Sequence, residues 1–484
     1  MRTFTPTKAR FFGYLLLCII ASSCGKVSPV PLSNKQKEKI DSYIKHLQKR
    51  HEIPGVSLAI IKDEEVLYKE TFGKANIEHN SSVLDQSIFR VYSLTKPIVA
   101  VAVFQLIEKE KLSLEDAIGK YVPDLPLSWN TIKIKHLLTH SSGIPDMAPY
   151  NRMEKLTEKE AKELVFSKEK LFDPGEKYAY NQTNFWLLQL IIEKVSGESL
   201  EDFIIKNQFD GANEEIFFSS NSKEIVPNRV TPYFPFETGT IQIDHSSLKG
   251  RYMFAANGLN ITINAFIDWD KKLKSGELIN KETLDEMWEV FSYTASNKRF
   301  VYGWDKHIVN RHDSYGFSGS LVTAYRIFPD DNLSIIFLSN GLGNYYNIEN
   351  IIDHIASIIN SDIVNVANKA FETLLQVSVE DDINAFETVY VHLKNKEEYA
   401  QLNFENLVND VGYQLINQKR IEKAIQVFTF NTQQFPSSAN AFDSLGESYY
   451  RDYQNKKALV NYKKAIELGG TNGNARKMLA LIKK

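Results

Sequence analysis

Three rhythms of apolar and polar positions run along this chain, and each predicts a different kind of element. From Lys35 to His51 the pattern is amphipathic with a helical period. Residues 56–61 and 66–72 are apolar runs parted by Lys62-Asp63-Glu64-Glu65, which predicts a β-hairpin. A long buried helix is expected near Ser93, with Val99, Val101, Val103, Phe104 and Leu106 filling its core. Residues 324–328 and 333–338 read as two strands around the turn Pro329-Asp330-Asp331-Asn332, and residues 355–359 as a closing helix. This order of strands, helices, strands and a final helix predicts α+β architecture.

After Ser361 glycine nearly vanishes until Gly412, and the period becomes helical. The last eighty residues repeat themselves. Gly412 and Gly446, Ala424 and Ala458, and Phe428 and Tyr462 all stand 34 apart, and Pro436 closes the first unit. A 34-residue period is that of the tetratricopeptide repeat: small residues let two antiparallel helices approach, and the aromatic fills their groove. Two such units need a neighbour, which residues 362–405 are expected to supply as a cap. The expected role is docking of a protein partner or a second copy of the chain, the alternative a stabilising cap.

The length of 484 residues suggests two or three domains, and a net charge of −3 gives no basic surface for nucleic acid. Cys18 and Cys24 are the only cysteines, so neither a disulfide framework nor a Cys-rich zinc site is expected. The ten histidines offer no close pair beside a carboxylate, and neither metal nor cofactor is expected. At the N-terminus, Arg2, Lys8 and Arg10 precede an apolar run over 11–21 that is too short to span a bilayer. Ala21-Ser22-Ser23-Cys24 resembles a bacterial lipobox, which implies export to the cell envelope and lipid anchoring at Cys24, on a face the sequence leaves open. A plain secretory signal is the alternative.

The candidate nucleophile is Ser93, in Val91-Tyr92-Ser93-Leu94-Thr95-Lys96-Pro97. Three residues is just under one helical turn, so Ser93 and Lys96 can share a face, and a neutral lysine there can take the serine proton. Helix end and burial both disfavour the ammonium form. Pro97 suits a first helical turn. Ser-x-x-Lys alone carries little information: it starts at Ser23, Ser42, Ser93, Ser167, Ser220 and Ser246. Only Ser93 stands before a buried helix.

Residues 89–102, the block Leu137-Leu138-Thr139-His140-Ser141-Ser142-Gly143-Ile144, and Pro174-Gly175-Glu176-Lys177-Tyr178-Ala179-Tyr180-Asn181-Gln182 running into 191–197 resemble the serine β-lactamase-like family. That family includes class C β-lactamases, D-alanyl carboxypeptidases and esterases. The resemblance implies an antiparallel sheet with flanking helices and a helical subdomain, with the site between them. The expected division is 1–24 signal peptide and lipobox, 25–34 tether, 35–360 hydrolase, and 361–484 helical linker and repeats. The resemblance gives Ser93 and Lys96 the first motif and Tyr180 a second acid–base role. Gln182 stands where the family has asparagine; both are amides. The third motif aligns with Phe317-Ser318-Gly319, where the family's cation is missing. Gly319 is expected to let substrate approach the strand backbone. By resemblance, the N–H groups of Ser93 and Ser320 form the oxyanion hole. His140 is expected to be structural.

These residues predict an acyl-enzyme hydrolase of small-molecule or peptide substrates bearing an ester or amide bond. Phe317 cannot pair with a carboxylate, so the expected preference is esterase-like; β-lactamase or D-alanyl peptidase activity is one alternative. The other is a catalytically degenerate surface lipoprotein that binds through its repeats.

Overall fold

A computed structural model describes Met1 and residues 31–147, 156–211, 214–235, 241–245, 250–344, 346–469 and 473–482. Cys24, the expected signal peptide and most of the tether lie outside the described residues.

The strands are β1 (Gly55–Lys62), β2 (Glu65–Asn76), β3 (Ser81–Ser82), β4 (Ile88–Arg90), β5 (Ile216–Phe218), β6 (Tyr233–Pro235), β7 (Ile241–Ile243), β8 (Leu259–Thr262), β9 (Asp305–Val309), β10 (His312–Gly319), β11 (Thr323–Phe328) and β12 (Leu333–Ser339). The helices of the same region are α1 (Asn34–His51), α2 (Thr95–Glu108), α3 (Ile134–Leu138), α4 (Glu158–Phe166), α5 (Gln182–Ser196), α6 (Leu200–Gln208), α7 (Phe254–Asn257), α8 (Ile263–Ser275), α9 (Lys281–Met287) and α10 (Ile348–Ile359). Seven strands form one antiparallel sheet in the order β3-β2-β1-β12-β11-β10-β9. The first and last thirds of residues 35–360 therefore meet at β1 and β12. A smaller sheet, β4-β8-β5, lies beside the site.

The central strands of the large sheet, β1, β12 and β11, are buried on both faces, which explains why β1 and β12 read as continuous apolar runs. Val56, Leu58 and Ile60 face α1 and α10, whereas Ala59 and Ile61 join the core built on α2 and α8. Both α2 and α5 are buried over most of their length because they lie inside the core built on α2 and α8, and α2 is apolar nearly all round. The expected hairpin is β1–β2. The expected strand pair is β11–β12, turned by Pro329–Asp331 with Asn332 at φ 47°. The expected helix at Ser93 begins as a short 3₁₀ turn, Tyr92–Leu94, before α2.

Beyond the sheet the chain is all helical: α11 (Val366–Glu380), α12 (Ile383–Lys394), α13 (Phe404–Asn417), α14 (Ile421–Gln434), α15 (Ala439–Arg451), α16 (Asn455–Glu467) and α17 (Gly473–Ile482). A Cβ at Gly412 would lie 2.5 Å from the Phe428 ring, and one at Gly446 would lie 2.9 Å from Tyr462. The repeated glycine and aromatic thus meet across α13–α14 and again across α15–α16. The stretch expected to cap the repeats also joins the sheet-bearing region: Arg50 pairs with Glu372 of α11 at 2.7 Å, and Tyr346 donates to the same carboxylate. No helix among the described residues is long and apolar enough to cross a membrane.

Candidate active site

The turn bearing Ser93 is tied down on every side. Val91 N–H donates to Leu259 O at 3.0 Å, and Leu94 N–H donates back to Val91 O at 3.0 Å. Thr95 Oγ1 donates to Tyr92 O at 2.6 Å and accepts from Leu259 N–H at 3.1 Å. Thr323 Oγ1, on β11, donates to Val91 O at 3.2 Å. Tyr92 itself is held at φ 49°, a conformation an aromatic residue adopts only when its surroundings impose it. Gly319 ends β10 against this turn: a Cβ there would fall far inside contact distance of Val91 O. The glycine therefore serves the packing of β10 on the Ser93 turn, a role the sequence reading did not include.

Lys96 sits in the first turn of α2 and is 0% exposed. Its Nζ lies 3.2 Å from Ser93 Oγ, 2.8 Å from Gln182 Oε1 and 2.8 Å from Ala256 O. Burial pulls its pKa well below the ordinary lysine value, and the Asp146 carboxylate opposes this more weakly. A neutral amine has two N–H bonds and one lone pair. With both N–H bonds donated to Gln182 and Ala256, the lone pair is left for the Ser93 hydroxyl. Tyr180 donates its O–H to Ser93 Oγ at 2.7 Å. In that neutral form the bonds run in one direction, from the tyrosine to the serine to the lysine. Tyr180 is 37% exposed at the mouth, yet the atoms packed around it push its phenol up to about 12. It is a hydroxyl donor at neutral pH, not a phenolate.

Gln182, expected from the resemblance to stand in for an asparagine, accepts from Lys96 Nζ at 2.8 Å. Asn181 instead caps α5, accepting from Asn184 N–H at 3.2 Å. Phe317 stacks near Tyr180, with centroids 6.2 Å apart and planes at 28°, and meets Phe300 edge-on at 6.1 Å. An aromatic wall therefore stands at the expected position of the cation. Ser318, half-buried, points to the other face of the strand and makes no hydrogen bond to Ser93, Lys96 or Tyr180 among the described residues. Ser320 is exposed in the β10–β11 turn at φ 47°.

Two partners of the site carry no signal in the sequence. Ala256 acts through its carbonyl, which any residue would supply. Asp146 accepts from Gln182 N–H at 2.8 Å, and burial raises its pKa. It directly follows the Gly143-Ile144-Pro145 run, where a carboxylate reads as an ordinary loop residue.

A family model described as Beta-lactamase matches residues 40–356. Penicillin-binding protein 4* of Bacillus subtilis (strain 168) is 25% identical over 334 residues, covering 63% of this chain and 72% of the relative. Protein flp of Staphylococcus aureus (strain MW2) is 32% identical over 183 residues, 36% of each chain, so the match spans about a third of that relative's length. The octameric penicillin-binding protein homologue from Pyrococcus abyssi shares the fold with a TM-score of 0.58 and 26% identity, over 67% of this chain and 77% of that one.

Proposed function

Because the chain belongs to the Beta-lactamase family, a serine hydrolase superfamily, we propose that it cleaves ester or amide bonds through an acyl-enzyme on Ser93. The observation that carries this reading is the convergence of Tyr180 O–H and Lys96 Nζ on Ser93 Oγ, at 2.7 and 3.2 Å, with the buried lysine also held by Gln182 Oε1 and Ala256 O. As Ser93 Oγ bonds to the carbonyl carbon, its proton passes to Lys96 Nζ. The leaving oxygen or nitrogen takes a proton as its bond to carbon breaks, with Tyr180 O–H beside Oγ on the path. Water then cleaves the acyl ester by the reverse transfers. The N–H groups of Ser93 and Ser320 receive the oxyanion; such a donor is worth roughly 3 kcal/mol.

Phe317 and Phe300 support a preference for neutral, apolar acyl groups over β-lactams and other carboxylate-bearing substrates. A buried ring gives a carboxylate neither charge nor hydrogen bond. The lipid anchor at Cys24 and partner docking on the 34-residue repeats belong to the same proposal, which makes this an envelope-bound hydrolase held near its substrate. An inactive binding module has no need of a lysine stripped of solvent beside the serine.

The test is intact mass after treatment with a broad fluorophosphonate, on the parent and on Ser93→Ala. One adduct on the parent and none on the variant supports the reading. No adduct on either turns attention to the binding module. Penicillin turnover that rivals simple esters would overturn the substrate preference.

A further inference from the structure

His140 makes three contacts that converge on one neighbour. Its carbonyl accepts from Ala179 N–H at 2.9 Å, and its ring Nδ1 accepts from Asn181 N–H at 3.2 Å. These two residues flank Tyr180 in the chain. Between them, the imidazole packs on the Tyr180 ring itself, with centroids 4.6 Å apart. His140 is held for this purpose: it is 0% exposed and sits at φ 51°, left-handed backbone that a non-glycine residue adopts only under constraint.

The tautomer follows from the partners. A backbone N–H can only donate, so Nδ1 must be the bare nitrogen. Asn184 agrees: its Oδ1 accepts from Ser142 Oγ at 2.6 Å, which turns its Nδ2 toward His140 Nδ1 at 3.3 Å. The proton of the neutral ring is therefore on Nε2. That atom is buried with no hydrogen-bond partner among the described residues. Around it stand the rings of Tyr178, Tyr180, Phe185 and Phe300, all with centroids within 5.8 Å of the imidazole. A ring that only filled space here would be better served by phenylalanine, which hides no polar atom.

We infer that His140 is a positioning residue for Tyr180: it brackets the tyrosine from both chain neighbours and backs its ring, so that the phenol hydroxyl stays on Ser93 Oγ. This rests on the acyl-enzyme reading above, in which Tyr180 moves a proton at Ser93. Proton transfer and attack are sensitive to misplacement of about 1 Å, so loosening the bracket acts on the chemical step and not on substrate binding.

Five full-length proteins test it with a neutral p-nitrophenyl ester: the parent, His140→Phe, His140→Asn, Tyr180→Phe and the His140→Phe/Tyr180→Phe double variant. His140→Phe keeps an aromatic ring and loses the acceptor; kcat is expected to fall by about 10- to 100-fold with KM within about 2-fold. His140→Asn, whose Oδ1 can take the place of Nδ1, is expected to recover part of that loss. In the Tyr180→Phe background there is no hydroxyl left to position, so His140→Phe is expected to cost less than about 2-fold more. Losses that multiply in the double variant, or a His140→Phe protein with the parent's kcat, overturn the inference. Nitrogen NMR of ring-labelled parent gives a second readout, independent of turnover and of any variant's folding. His140 is expected as the neutral Nε2–H form, and a ring carrying its proton on Nδ1 overturns the bracket. Absence of Ser93-dependent turnover in the parent sinks the acyl-enzyme reading instead, and the bracket is then judged by the NMR readout alone.

Discussion

Lys96 combines two demands that oppose each other. Its charged form is costly where it sits, and in the proposed reaction this same cost suits it to accept the serine proton. Lys96→Ala and Tyr180→Phe are each expected to lower kcat by about 10²- to 10⁴-fold with little change in KM, measured with a neutral ester. Hydrolysis is expected to rise with pH as Lys96 loses its proton, and to hold until Tyr180 ionises near about 12. Stability carries the same signature. The folded-state pKa of Lys96 lies below its unfolded value, so the unfolded chain binds the extra proton, and Lys96 adds stability as pH rises from the folded pKa toward 10.5. Denaturant titrations of the parent and Lys96→Met across that range should show the difference moving in the parent's favour with rising pH. A flat or opposite trend would mean that the lysine is charged in the folded protein.

Elements are held to one another at points where a single methyl matters. β10 reaches the turn bearing Ser93 only because Gly319 has no Cβ. Gly319→Ala is expected to push Val91 aside, lowering stability by about 1–3 kcal/mol and kcat by roughly 10²-fold; unchanged ester turnover would show that the turn yields without cost. In the helical region the same argument has a different readout. Gly412→Ala drives a methyl into the Phe428 ring and is expected to destabilise α13–α14 by about 1–3 kcal/mol while the ester kcat stays at the parent value. Thermal melting followed beside activity separates the two. Loss of turnover in Gly412→Ala would tie the helices to the site more closely than their contacts suggest.

At the scale of the whole molecule, α11 is the joint between sheet and helices. Glu372 is shared by Arg50 and Tyr346, from two separate parts of the hydrolase region, and Lys423 of α14 donates to Ser378, Val379 and Asp381 O at the far end of α11. Removing one partner of a buried pair leaves the other charge uncompensated, a loss of about 3–5 kcal/mol. Glu372→Ala is accordingly expected to open the 360–385 region to limited proteolysis while the ester kcat stays near that of the parent. A cleavage pattern identical to the parent's would show that apolar packing alone holds the joint.

Much of this was legible in residue order because it depends on local rules. The β1–β2 hairpin, the β11–β12 pair with its proline-started turn, and the 34-residue repeat follow from turn chemistry and periodicity. So does the pairing of Ser93 with Lys96, which one helical turn brings together. Tyr180 and Gln182, more than eighty residues away, were legible only through resemblance to a family. Other features depend on approach between distant segments, which no local pattern records. The Ala256 carbonyl on Lys96, the Val91 carbonyl that requires a glycine at 319, and the His140 bracket around Tyr180 are of this kind. Periodicity shows which face of an element is buried. Which atom lies 3 Å from a reacting group depends on how the sheet closes on α2, and only the tertiary structure decides that.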